Sequence, residues 1–137
     1  MGTSVGRASS VALPQTTWLG LAIIAGLSAG ALLSTDGEAG HDPALVTLLR
    51  FMAVVKAAMV ISVAAGAAWR LRVPTGPGTA LGYVAACGIM AAGLWPIWAA
   101  THVAAGAVLV HGGFAVSIAM GWRDRAAWHT MLAARHG

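Results

Sequence analysis

Acidic side chains are the scarcest chemistry in this chain: four Asp and Glu among 137 residues, against eight Lys and Arg. Charged residues of both signs make up only 9% of it. A water-soluble domain of this size needs far more polar surface, so an ordinary soluble enzyme or binding module is excluded. Cysteine is nearly missing too. The single Cys87 rules out an intrachain disulfide and a zinc cage built on cysteines. There is no HxxxH or HExxH pair, no phosphate-binding glycine loop and no Ser-His-Asp order. Internal repeats and low-complexity tracts are absent as well. The net charge of +4 is no nucleic-acid signature, because the basic residues are scattered and most flank apolar runs.

What the chain has in abundance is apolar surface. Hydrophobic residues make up 58% of it, and the mean hydropathy is +0.78. Four apolar runs stand out, at 17–34, 43–69, 78–95 and 102–122. Each can cross the ~30 Å hydrocarbon layer as a helix. Lipid offers backbone groups no partners, so helices are the default. The pattern predicts an all-α integral membrane protein, with residues 1–137 forming one domain of four transmembrane helices. Asp42 and Pro43 read as N-cap and first helical residue of the second run. "VPTGPG" at 73–78 reads as a turn, and Pro96 as the break between the third and fourth runs. Trp18, Trp69, Trp95, Trp98 and Trp122 fall near run ends, as an interfacial aromatic belt requires. The stretch "RAAWHTMLAARH" at 125–136 reads as a short interfacial helix.

With four spans, Arg7, Arg70, Arg72, Arg123, Arg125 and Arg135 fall on one side. The other side holds Asp36, Glu38, His41 and Asp42 and no basic residue. The positive-inside rule therefore predicts cytoplasmic termini and suits a bacterial inner membrane. The first run has the basic flank and small residues of a signal peptide but is read as a retained span. Small residues are plentiful, with 18 glycines. Gly26 and Gly30 form a GxxxG pair, Gly82 and Ala86 a small face, and Gly106, Gly112 and Gly113 another. So much small-residue surface on a thin bundle predicts a homo-oligomer or a place among partner membrane subunits in the lipid bilayer.

Two bases lie inside the second run. Arg50 is seven positions after Pro43, roughly 10 Å along a helix, and Lys56 roughly 20 Å, near the midplane. His111 lies nine positions after His102, roughly 14 Å further in, and therefore level with Lys56. Nine positions is about half a rotation, so His102 and His111 face opposite ways. Each charge at mid-bilayer costs about 2.5–3.5 kcal/mol on insertion scales. No embedded carboxylate balances these bases. Lys56 must shed its proton or meet a negative group from outside the chain.

Haem b is one group that brings its own carboxylates. His111 is the axial-ligand candidate, with Arg50 at the level of the propionates and Lys56 beside the ring or near the iron's other side; the sixth ligand is Met52, Met59 or Met90, a histidine of another chain, or none. His102 and His41 form a second candidate pair nearer the surface. On this expectation the chain is a homo-oligomeric haem b protein of electron transfer or small-molecule redox chemistry. It lacks the paired histidines, at one depth on two helices, of a bis-His site. Two other readings share the same residues. One is a non-catalytic accessory subunit of a respiratory or photosynthetic complex. The other is a proton or anion pathway through Lys56 and His111.

Overall fold

The structure, a computed structural model, describes residues 14–34, 42–73 and 75–136, with side chains to 125. Four helices fill it: α1 (Gln15–Leu32), α2 (Pro43–Arg70), α3 (Pro77–Trp98) and α4 (Val103–His136). No strand occurs among the described residues. All four are long and apolar enough to cross a membrane.

The helix starts follow local chemistry. The Asp42 carboxylate accepts the Ala44 N–H at 2.9 Å, and Pro43 opens α2 without needing an acceptor. Pro77 opens α3 in the same way, after Gly76. Hydroxyls inside the helices satisfy themselves. Thr47, Ser62 and Ser117 each donate at 2.9 Å to the carbonyl four residues back.

Two boundaries differ from the sequence expectation. Pro96 does not end the third helix, which runs through it to Trp98. A proline there leaves the Ala92 carbonyl without its usual N–H donor. In this fold that carbonyl lies beneath Gly30 of α1, where an added Cβ would come within 2.5 Å of the oxygen. The break comes later, at Ala100, whose φ of 54° is left-handed. Around it, Thr101 N–H reaches the Pro96 carbonyl at 3.2 Å and Ala100 N–H the Ile97 carbonyl at 3.3 Å. That pair of bonds is a Schellman cap, with alanine where glycine is usual. The second difference is at the C-terminus. The stretch 125–136 is no separate interfacial helix, because α4 continues unbroken from Val103 to His136. Nothing in "GWRDRAAWHT" interrupts a helix: it has no proline, and its one glycine lies before the charged stretch.

The core sits on α3. Half of its most apolar window is buried, against 11% for α1 and 22% each for α2 and α4. Glycines make this possible by letting backbones nearly touch. A Cβ at Gly26 would collide with the Gly88 carbonyl of α3. On the other flank of α3, Gly93 and Gly106 face each other reciprocally, an added Cβ on either coming within 2.6 Å of the other's carbonyl oxygen. Met90, Cys87, Ile97 and Val110 are fully buried around these crossings. Helix α2 is the outlier. It packs on α3 through Leu49, Ala53, Val60 and Ala67, and meets α4 at few places.

Candidate functional site at the middle of the bundle

Lys56 is the fourteenth of the 28 residues of α2, hence its centre. Its Nζ lies 3.4 Å from Nε2 of His111 on α4. The other ring nitrogen of His111, Nδ1, donates to the Ala107 carbonyl at 2.7 Å. With that proton committed, Nε2 offers its lone pair and Lys56 is the donor. At 3.4 Å the bond is long, and it leaves room for either group to turn toward another partner. Lys56 is half-buried and His111 exposed. They crown a small apolar cluster of Ala53, Val60, Met90 and Val110, with Met59 and Phe114 packed beside it.

Around this pair the described part of the spans holds no carboxylate. Asp42 caps the start of α2, and Asp124 lies at the far end. The pair therefore presents a basic group at mid-helix with no carboxylate of the described residues beside it, open to whatever surrounds the bundle.

The other candidate residues are spread out. Arg50 is six positions from Lys56, which leaves the two about 120° apart around the helix axis, and so occupies another flank. There its guanidinium stacks over the Trp98 ring at 5.6 Å from the centroid. Met52 is largely exposed, Met59 packs in the cluster, and Met90 is fully buried beneath Gly113. His102 is exposed at the start of α4, and its carbonyl accepts the Gly106 N–H at 2.9 Å. His41 lies outside the described residues. Among those described, no three His, Cys, Asp or Glu side chains gather as a metal-binding group. A haem on His111 would require Nε2 to turn from Lys56 to the iron. Gly112 is open space, with nothing within 4 Å of an added Cβ, so a flat ring could lie against α4 there.

One polar contact has no precedent in the sequence reading. Arg70, at the end of α2, pairs with Asp124 of α4 through two hydrogen bonds, Nε to Oδ2 and Nη2 to Oδ1, the latter at 2.9 Å. The two side chains are 23% and 14% exposed. A signal existed. Asp124 sits between Arg123 and Arg125, and adjacent helical residues do not face each other, so its partner had to come from another helix.

A comparison with known protein families, curated proteins and solved structures finds no significant match. The fold alone describes the class: a small bundle of four helices, each long and apolar enough to cross a membrane, with a basic pair at the middle of two of them.

Proposed function

We propose that this chain is a non-catalytic subunit of a larger membrane assembly. Its Lys56–His111 face meets a negative group that the chain itself does not carry. The observation behind this reading is the pair itself, with Nζ and Nε2 3.4 Å apart at mid-helix and partly exposed. A cation left in hydrocarbon there costs about 2.5–3.5 kcal/mol, so a covering partner is favoured. A partner helix with a mid-span Asp or Glu fits, in a membrane where both termini face the cytoplasm and the basic ends of α2 and α4 lie inside. A bacterial inner membrane suits that charge asymmetry. A proton or anion pathway is less favoured. Thr47, Ser62 and Ser117 bond their own helix backbones and extend no relay from the pair.

The test is photo-crosslinking from Val108, one turn from His111 and 70% exposed, in native membranes. The expected product is a crosslink to a different membrane protein, weakened at least several-fold by Lys56→Met. Crosslinks only between copies of this chain would overturn the reading. The second reading, haem b on His111, is favoured by the open surface at Gly112. It predicts a Soret band in the same purified material, lost in His111→Ala.

A further inference from the structure

At the basic end of the bundle a cavity lies between the start of α3 and α4. It has a volume of about 200 Å³ and is lined by Gly76, Gly78, Thr79, Met120 and Arg123. Thr79 is half-buried and Arg123 exposed. Asp124, next to Arg123 in sequence, is committed to Arg70, so Arg123 has no carboxylate beside it among the described residues. We propose that this cavity holds the headgroup phosphate of one anionic phospholipid, with the Arg123 guanidinium and the Thr79 hydroxyl as donors.

The glycines argue first. Gly76 has φ −58° and ψ 146°, a conformation that any residue adopts. A serine or aspartate there would cap α3 better, yet no side chain caps it. Gly78 lies inside α3, where glycine is a poor helix former. Packing does not call for either, since an added Cβ at each meets nothing within 4 Å. Gly26, Gly30, Gly93 and Gly106 differ, because a Cβ there would strike backbone. What Gly76 and Gly78 leave is bare backbone on one wall of the cavity, where a ligand can come close. Depth argues second. Helix α3 has 22 residues, about 33 Å, close to the ~30 Å hydrocarbon layer. With α3 across a bilayer, its first turn and the cavity beside it lie at the level of the lipid phosphates. Trp69 and Trp122, 75% and 70% exposed, stand at the same end, as interfacial indoles do. Charge argues third. The Arg70–Asp124 pair holds the end of α2 against α4, so Arg72, Arg123 and Arg125 gather here with no acid left over among the described residues. A planar guanidinium suits phosphate, and the surplus of cations favours a headgroup with net negative charge. This site is remote from the Lys56–His111 face and stands or falls without it.

The experiment is native mass spectrometry of the purified full chain in mild detergent. It is titrated with phosphatidylglycerol and with phosphatidylcholine of the same acyl chains. The expected result is one phosphatidylglycerol retained several-fold more strongly than phosphatidylcholine. Arg123→Gln is expected to lose about tenfold in retention, the size of one charge-assisted contact. Arg72→Gln removes the same charge from the same end but lines no part of the cavity, and keeps most of the retention. Gly78→Leu, placed in open space, fills the cavity with Arg123 intact and weakens retention. Equal retention of both lipids by the native chain overturns the proposal. So does an Arg72→Gln loss as large as that of Arg123→Gln, which would reduce the effect to net charge. Unchanged retention in Gly78→Leu also overturns it, since the lipid would then lie elsewhere. Displacement of the lipid by millimolar inorganic phosphate does the same, by making the cavity a site for the free ion.

Discussion

A lysine at the centre of a membrane helix is a cost that the isolated chain bears without compensation. The hydrogen bond to His111 is long, and His111 is neutral when it accepts it, so only a dipole meets the charge. Removing the charge should therefore help the isolated protein. Lys56→Met is expected to raise its thermal stability in detergent by about 1–3 kcal/mol, somewhat less than the insertion penalty because micelles admit water. Differential scanning fluorimetry checks this, and a clear fall in Tm would make Lys56 a structural member of the bundle. Counting 1.5 Å per residue was enough to put Lys56 and His111 at one level. That they touch was not legible, because touching depends on how far α4 is rotated toward α2. That rotation is fixed by the Gly93–Gly106 crossing, a long-range contact with no local signal.

The close crossings make α3 sensitive on two flanks. Gly30 lies over the one carbonyl in α3 that Pro96 cannot serve, and Gly93 lies against the Gly106 backbone. A larger residue at either site must push a helix away, since backbone atoms cannot retreat as a flexible side chain can. Gly30→Leu and Gly93→Leu are each expected to destabilise by about 1–3 kcal/mol or more, the range for overpacking. Gly112→Leu, in open space, should change stability by under about 0.5 kcal/mol. Melting curves of the three variants side by side decide it, and equal losses at all three would dismiss the crossings. Part of this was legible. Gly26 and Gly30 stood out as a GxxxG pair, and both do pack against α3. Gly112 stood out just as well and packs against nothing. Glycine spacing reports which residues share a face, and the partner face must be found in three dimensions. Pro96 misled as well. A proline costs a helix one N–H and crowds the turn before it, and two residues from the end of α3 that loss falls on a single carbonyl.

At the scale of the whole molecule, α1, α3 and α4 form a tight core, and α2 lies against it with two polar ties to α4. One is the long Lys56–His111 contact at the middle. The other is the two-bonded Arg70–Asp124 pair at the far end. They act in opposite senses. The mid-span contact holds a charge the surroundings resist. The end pair matches two charges with little exposure, so breaking it leaves an arginine with buried donors and no carboxylate. Asp124→Asn is expected to cost about 2 kcal/mol, as a lost charge-assisted hydrogen-bond pair does, and to free the end of α2 for faster proteolysis. The ties are 14 residues apart along α2, about 21 Å, beyond the range at which mutational effects usually couple. Lys56→Met with Asp124→Asn should therefore give the sum of the two single effects to within about 0.5 kcal/mol. A double variant departing from that sum by more would mean that α2 moves as a rigid lever between its ties. Loosening the Arg70 end would then change what Lys56 can reach, and the face offered to a partner would be controlled from the other end of the helix.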